Sequence, residues 1–306
     1  MTTYANLYAS GNGIRLAYMI QNEVNTLLAD PTNIAMYPGI LNIGSIDGMG
    51  SDTLTARYVN LGYGDVFAST GDGSAVSASS ITPSNVDVTV ARYALRYDLT
   101  SLAQMSGYGQ DLNPFSLSQM MFQSATATMS QLVATEFQNI TNTVGTSGAD
   151  LSVDNILDAI FELEDDANSE FTCILHSVQF ADFRQSLRSE TNNALGFASE
   201  TYEAMKAKAP GYAGSWGGVN FFKSNRVTEV TGNKVGAMLG ANAIGYALGT
   251  PQNSQLADGR IVEAGTPAII EWTRNAASDK TEIVGNMYFG VKVLEQARAV
   301  GIVTDA

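Results

Sequence analysis

The sequence has few charged residues and is especially poor in basic ones. Asp, Glu, Lys and Arg make up 15% of its 306 residues, against about a quarter in an average globular protein. Sixteen basic residues stand against thirty acidic ones, which gives a net charge of −14. Because sequence-independent DNA binding depends on basic side chains that neutralise phosphates, this balance argues against tight DNA binding. A surface rich in uncharged polar residues favours an oligomer, since charges are costly to desolvate where subunits pack.

Cysteine and histidine are nearly absent. Cys173 is the only cysteine and His176 is the only histidine. A single cysteine excludes an intrachain disulfide and a cysteine-rich zinc site, and its apolar neighbours favour a buried small hydrophobe. For His176, at the end of the same apolar run, we expect a structural or solvent-edge position, because no spacing points to a partner serine or carboxylate.

The chain also lacks the motifs of nucleotide and metal sites. It contains no GxxxxGK[ST] phosphate loop, and no GxGxxG follows a predicted strand. The acids between 162 and 166 could hold Ca²⁺ or Mg²⁺, but they lack the glycine-centred loop of a calcium site, so a solvated helix end is favoured. We therefore expect no catalytic residue, no cofactor and no metal ion. An enzyme of the α+β class stays the weaker alternative.

Long hydrophobic runs are missing as well. No stretch approaches the roughly 18 to 20 apolar residues that are needed to span a bilayer. The first ten residues lack the basic start and apolar core of a signal peptide. We expect a chain that is made and kept in a reducing cytoplasm and has no membrane contact.

The most informative pattern that is present is a polar hairpin over residues 51–98. Its second limb alternates apolar and polar side chains, which is the period of a strand with one covered face. The phase slips by one residue after Val90, so we expect a bulge or a strong twist there. Because a hairpin alone in water is marginal, its apolar face is expected to rest on a neighbouring copy. The candidate assembly residues are Val86, Val88, Val90, Tyr93, Leu95, Arg57, Arg92 and Arg96.

One long helix is predicted to follow, over residues 113–144. Asn113 can cap it, Pro114 suits its first position, and Gly145 suits its end. Apolar residues recur every three or four positions, which gives a continuous stripe on a helix about 45 Å long. We expect this helix to be a spine against which other elements pack. The packing residues on its stripe are Met121, Met129, Val133, Phe137 and Ile140.

The rest of the chain predicts a mixture of helices and strands. Neither strict βαβ alternation nor an all-β spacing holds throughout, so the class is mixed α+β. A glycine-rich turn is expected over 211–218, and an extended connector over 38–52. The other predicted elements are helices at 14–29, at 152–165 and from Ser177, and strands at 171–176, 219–222, 268–273 and 281–293.

This order of elements resembles the major capsid proteins of tailed double-stranded DNA phages, which share the fold first seen in phage HK97. The limb ending VDVTVARYALRYDLT is similar to the family's extended loop, and LSVDNILDAIFELEDD and FTCILHSVQFADFRQSL are similar to its axial domain. The segment GSWGGVNFFKSNRV looks like the family's glycine-rich approach to a buried strand. The closing EIVGNMYFGVKVLEQARAVGIV looks like the last strands of its peripheral domain.

The resemblance covers nearly the whole chain and implies an α+β, HK97-like capsid fold. The implied parts are an N-terminal arm (1–50), an extended loop (51–98), a peripheral domain with the spine helix (99–150 and 268–306), and an axial domain (151–267).

The function that the resemblance implies is a structural subunit that self-assembles into an icosahedral shell around double-stranded DNA. The implied partners are other copies, as pentamers and hexamers, and scaffolding, portal and decoration proteins. Packaged DNA would be contacted weakly and without sequence specificity. The implied location is the capsid of the virion, assembled in the host cytoplasm. The alternatives are an encapsulin-type compartment, which shares the fold, and another phage structural protein.

One departure from the family is informative. Some relatives form Lys–Asn crosslinks through a lysine on the extended loop, whereas residues 51–98 contain no lysine here. All six lysines lie in the C-terminal third of the chain, at 206, 208, 223, 234, 280 and 292. That crosslinking chemistry therefore cannot run from this loop.

Overall fold

The structure is a computed structural model that describes residues 33–59, 83–102, 114–163, 171–189, 211–227, 229–249 and 268–305. The predicted helix at 14–29 lies outside the described residues. The described strands and helices are β1 (Ile40–Ser45), β2 (Thr53–Val59), β3 (Pro83–Thr89), β4 (Ala91–Thr100), α1 (Pro114–Glu136), β5 (Thr143–Val144), α2 (Val153–Leu163), β6 (Phe171–Leu175), α3 (Ser177–Ser189), β7 (Tyr212–Trp216), β8 (Val219–Lys223), β9 (Glu229–Val230), β10 (Asn233–Leu239), β11 (Ile244–Leu248), β12 (Ala268–Asn275), β13 (Lys280–Val293) and β14 (Ala299–Asp305).

A five-stranded sheet is built around β13, which is 14 residues long. Strand β4 runs antiparallel along one edge of β13, and β12 and β11 pair with its other edge. Strand β1 then pairs in parallel with β11. The predicted extended connector at 38–52 thus contains a sheet strand. Its half-buried Ile40 and Ile43 give this segment apolar side chains to cover, which favours pairing.

A seven-stranded sheet lies beside the second and third helices. Its order is β5-β14-β10-β6-β8-β7, with β9 paired to β10. Side chains alternate between its two faces. Cys173 and Phe221 belong to the core that includes α2 and α3, whereas their neighbours Ile174 and Phe222 belong to the core that includes α1. This sheet is therefore covered on both faces.

The two sheets do not follow the predicted boundary between residues 267 and 268. Strand β11 precedes that boundary but pairs in the five-stranded sheet, and β14 follows it but pairs in the seven-stranded sheet. The chain passes between the two sheets more often than the sequence indicated. A short apolar run predicts a buried strand without indicating which sheet it joins.

The spine helix is shorter than predicted. Helix α1 ends at Glu136, so its 23 residues span about 35 Å. A 3₁₀ turn follows, and the chain then becomes extended and joins β14 through β5. Asn and Thr dominate residues 139–143 and are poor helix formers. The Gln296 side chain also accepts from the Thr141 N–H and donates to the Asn139 carbonyl, which holds the chain out of the helix.

The predicted packing stripe is buried even though the helix ends early. Its five residues are at most 4% exposed, and they lie in one core with strands of both sheets. They are Met121, Met129, Val133, Phe137 and Ile140. None of the described helices is long and apolar enough to cross a membrane.

The predicted glycine-rich turn is a hairpin turn between β7 and β8. Gly217 and Gly218 form its two central residues, with φ of 59° and 82°. Positive φ at both positions is the geometry of a tight two-residue hairpin, which glycine adopts without steric cost. The turn comes before β8 as predicted, but β7 itself was not predicted.

Candidate assembly surfaces

The hairpin consists of β2 and β3 and is anchored on its own subunit. Val88 is 1% exposed and Val90 is 7% exposed, and both pack with Ala247 and Leu294. The expectation that a neighbouring copy must cover Val88 and Val90 was therefore wrong. Residues of β11 and of the segment after β13, in the chain's own subunit, provide the cover. Val86, nearer the hairpin tip, is half-buried.

Three backbone contacts hold the base of the hairpin. The Val90 N–H donates to the Asp52 carbonyl at 2.8 Å, and the Lys292 Nζ donates to the Asp87 carbonyl at 3.3 Å. Gly290 on β13 lies so close to the Thr89 carbonyl that a Cβ there would clash with backbone atoms. The end of β3 therefore lies directly on β13, and glycine is required at the crossing.

The alternation of apolar and polar residues shifts after Val90 because the chain leaves the hairpin there and enters the five-stranded sheet. Strand β3 pairs with β2, and β4 begins at Ala91 and pairs with β13. A bulge would have kept both segments in one ladder. Residues 91–98 therefore belong to the five-stranded sheet and not to the hairpin. Tyr93 and Leu95 are accordingly half-buried against the main core.

The arginines predicted for assembly are divided in the same way. Arg92 donates to Asn286 Oδ1 at 2.9 and 2.6 Å, inside its own subunit. Arg96 is paired with acids on β4 and β13. Arg57 is exposed on β2. Of the eight residues proposed for assembly, Arg57 and Val86 are thus the two that lie on the hairpin without being buried at its base.

Four charged residues form an ion-pair network between the C-terminal end of β4 and the start of β13. Asp98 binds Arg96 at 2.7 Å and Lys280 at 2.6 Å, and Glu282 binds the same two cations at 2.9 and 3.1 Å. Hydrogen bonds from Arg96 and then Lys280 lower the pKa of Asp98 to about 2. The pKa of Glu282 is also lowered, chiefly by Lys280. Each pair is solvent-accessible and contributes little alone, so the network acts mainly on strand register.

His176 occupies the N-cap position of α3. The ring Nδ1 accepts from the Val178 backbone N–H at 3.3 Å, and the His176 backbone N–H donates to Gln179 Oε1 at 3.0 Å. The bond to Gln179 is the return half of a capping box, whereas the ring caps the second helical N–H in place of the third. Burial, and then the nearby Lys234, lower the pKa of His176, which favours the neutral ring that can accept. The histidine is therefore structural, as expected.

Among the described residues, a cysteine nucleophile and a metal centre are both disfavoured. Cys173 is buried, and burial raises its pKa, so it is a poor nucleophile. Within the described ranges, no group of three or more His, Cys, Asp or Glu residues could hold a metal ion.

A cavity of about 400 Å³ lies between α1 and β13 and is lined mainly by apolar side chains. A second cavity, of about 580 Å³, contains Lys223 and Arg226.

One surface was missed from the sequence. On the predicted helix at 152–165, the apolar side chain of Leu157 is 45% exposed, and that of Phe161 is 75% exposed. Both positions lie at the margin of the apolar stripe, where helical spacing alone does not determine which way a side chain faces. The accumulation of Asp154, Asp158 and Glu162 on the same helix was the available signal that this margin is solvent-exposed.

No protein-family model matches the chain, and no curated protein matches it in sequence. Solved structures do match. The capsid of cyanophage P-SCSP1u has a TM-score of 0.56 at 15% identity, over 87% of this chain and 86% of that chain. The bacteriophage PhiM1 mature capsid gives 0.60 at 9% identity, over 87% and 86%. The SrpI encapsulin of Synechococcus elongatus PCC 7942 gives 0.56 at 10% identity, over 90% and 87%.

At such identities the similarity concerns the fold. It extends over nearly the whole length of both chains, which rules out a single shared supersecondary motif. The mixed α+β class predicted from the sequence is confirmed, and the chain has the HK97-like capsid fold.

Proposed function

We propose that the chain is the major capsid protein of a tailed phage, which self-assembles into an icosahedral shell around double-stranded DNA. The observation that carries this proposal is the match to phage capsids over 87% of the chain. A fold does not by itself specify a function, and one fold can serve several. The argument therefore also needs features of this chain that suit assembly.

Two such features support the proposal. The hairpin of β2 and β3 has a fixed base, and its exposed Arg57 and half-buried Val86 are available to a neighbouring subunit. The low charged fraction, 15%, limits the desolvation cost of large contacts between subunits. The division into arm, extended loop, peripheral domain and axial domain is part of the proposal, with β4 and β11 moved to the peripheral domain and β14 moved to the axial domain.

The proposed partners follow from the same reasoning. Copies of the chain associate as pentamers and hexamers, and scaffolding, portal and decoration proteins join the shell. Packaged DNA is contacted weakly, because a net charge of −14 repels phosphate. The shell is assembled in the host cytoplasm and the chain remains in the virion. It acts by assembly, with no catalytic activity.

An encapsulin-type compartment is the second candidate. The match to the SrpI encapsulin has the same TM-score, 0.56, as the match to the cyanophage capsid, so the fold alone favours neither. The contents of the particle distinguish them. A phage capsid encloses nuclease-protected DNA, whereas a compartment encloses a cargo protein.

Electron microscopy of the purified protein, and of particles from the source that encodes it, tests the proposal. We expect closed shells in which this chain is the most abundant protein. A chain that stays monomeric under all assembly conditions, or that is present only in the copy number of a tail protein, contradicts the proposal.

A further inference from the structure

The outer face of α2 is apolar along one edge and acidic along the other. Phe161, at 75%, is the most exposed large apolar side chain in the part of the chain that the structure describes. Leu157 lies one helical turn before it. Asp154, Asp158 and Glu162 are exposed beside them. None of these three acids has an ion-pair partner among the described residues.

The cavity of about 580 Å³ has the opposite charge. Among the described residues that line it, the charged ones are Lys223 and Arg226, and none is acidic. Both cations are exposed, and neither has an ion-pair partner in the described ranges. The aromatic ring of Tyr37 and the start of α3 also line the cavity. Next to it, Val178 is 43% exposed, so the surface there is partly apolar.

These two surfaces are not in contact through any ion pair among the described residues of one subunit. Helix α2 packs on the face of the seven-stranded sheet that carries Phe221. The cavity lies beyond the end of β8, and Tyr37 in its wall belongs to the other face, where it stacks on Phe222 with ring centroids 4.6 Å apart. Since no described ion pair joins the acidic face and the basic cavity within one subunit, a pairing between them joins two copies.

We propose that the outer face of α2 in one copy docks at the Lys223–Arg226 cavity of the next copy. This inference rests on the proposed shell function and names one contact that builds the shell. Two different surfaces of the same chain form a heterologous contact, which closes into a ring when the rotation between copies permits it. Phe161 is the apolar anchor, and Asp158 and Glu162 pair with the two cations.

Electrostatics then sets which surfaces meet. Copies that each carry a net charge of −14 repel one another over most of their surface. The cavity offers two cations that lack a described acidic partner, so an acidic helix face is attracted there and rejected elsewhere. A phosphate group of packaged DNA would also be attracted to the cations, but it would make no use of an exposed Phe161.

Charge reversal tests the pairing. We expect Asp158→Lys with Glu162→Lys to raise the protein concentration needed for assembly by about tenfold or more. Lys223→Glu with Arg226→Glu should have the same effect. The chain that carries all four substitutions should assemble again, because the charges are exchanged and remain complementary. Circular dichroism and thermal unfolding verify that each variant is folded.

An apolar substitution provides the matched control. Phe161→Ser removes the anchor and should also raise the assembly concentration by about tenfold or more. Met49→Ser removes another exposed apolar side chain, 59% exposed and far along the chain from α2, and should change assembly little. Equal effects of the two substitutions would show that general surface hydrophobicity drives assembly, which overturns the proposal.

A designed disulfide reports the contact directly. Phe161→Cys combined with Arg226→Cys should give a ladder of covalent oligomers on oxidation, up to closed rings. Each single variant should not, because Cys173 is buried.

If the wild type forms shells but charge reversal has no effect and no ladder appears, the contact is refuted and the shell function stands. If the reversed variants assemble normally but package less DNA, the cavity is a phosphate site and the contact is again refuted. If the wild type never assembles, both proposals fail.

Discussion

The base of the hairpin and the outer face of α2 differ in what covers their apolar side chains. At the hairpin base, Val88 is 1% exposed because the subunit's own sheet covers it. On α2, Phe161 remains 75% exposed. The hairpin that the sequence predicted to need a neighbouring copy is thus fixed at its base, and an ordinary surface helix carries the uncovered apolar patch. A sequence pattern with one covered face therefore does not by itself indicate where the incomplete surface lies.

Gly290 provides the strongest test of how the base of the hairpin packs on β13. A Cβ at this position would clash with the Thr89 backbone, so Gly290→Ala must push β3 away from β13. We expect the free energy of unfolding to fall by about 1 to 3 kcal/mol. Gly240→Ala is the control, because its nearest contacts would be ordinary ones, at 3.5 Å or more. Denaturant unfolding of both variants measures the difference, and equal stability would mean that the hairpin base is not seated as described.

Val88 and Val86 separate stability from assembly. Val88→Ala removes two buried methyl groups and should lower the free energy of unfolding by about 2 kcal/mol. Val86→Ala, at a half-buried site on the same strand, should cost less in the isolated subunit and act mainly on assembly. Urea unfolding and light scattering measure the two effects. A larger loss of stability for Val86→Ala would reverse our assignment of the two residues.

The charge network between β4 and β13 predicts an acid-sensitive contribution. The pKa of Asp98 is lowered from 3.8 to about 2 in the folded chain. A carboxyl with a lowered folded pKa stabilises the fold above its unfolded pKa, and this stabilisation is lost as the pH falls through the folded value. The stability difference between wild type and Asp98→Asn should therefore shrink from pH 4 to pH 2. A difference that stays constant over this range contradicts the network.

His176 gives the smallest expected effect on stability. The neutral ring caps α3, and the pKa of His176 is lowered in the fold. The unfolded chain therefore takes up a proton more readily, and the stabilising contribution of His176 falls as the pH drops below about 6.5. Replacement by Asn, which caps without titrating, should remove this dependence. Thermal unfolding between pH 5 and pH 8 compares the two proteins, and an unchanged profile in His176→Asn would contradict the cap.

Part of this fold was predictable from the sequence because some apolar patterns repeat over many residues. The packing stripe of α1 repeats over many turns, and the strand that ends at Val293 is long, so each pattern has few alternative interpretations. The alternation at Val88 likewise predicts one covered face correctly. It does not say whether the cover comes from the same chain or from another copy, which is why the prediction placed the partner in a neighbouring subunit.

Other features depend on contacts that a local pattern does not record. The sheet membership of β11 and β14 is set by pairing partners distant in sequence. The early end of α1 depends on Gln296, more than 150 residues away from Thr141. The exposure of Leu157 depends on how α2 is rotated against the seven-stranded sheet. Of the candidate assembly surfaces, the hairpin could therefore be predicted in outline, and the α2 face could not.

Solvent accessibility, compared between free subunits and assembled shells, tests the central claim most directly. Hydrogen exchange reports the backbone at residues 85–90, and hydroxyl-radical footprinting reports the ring of Phe161. We expect the end of β3 to be protected already in free subunits, and Phe161 to be oxidised in free subunits but protected in shells. Rapid exchange at 85–90 in free subunits, together with equal oxidation of Phe161 in both states, would contradict the account.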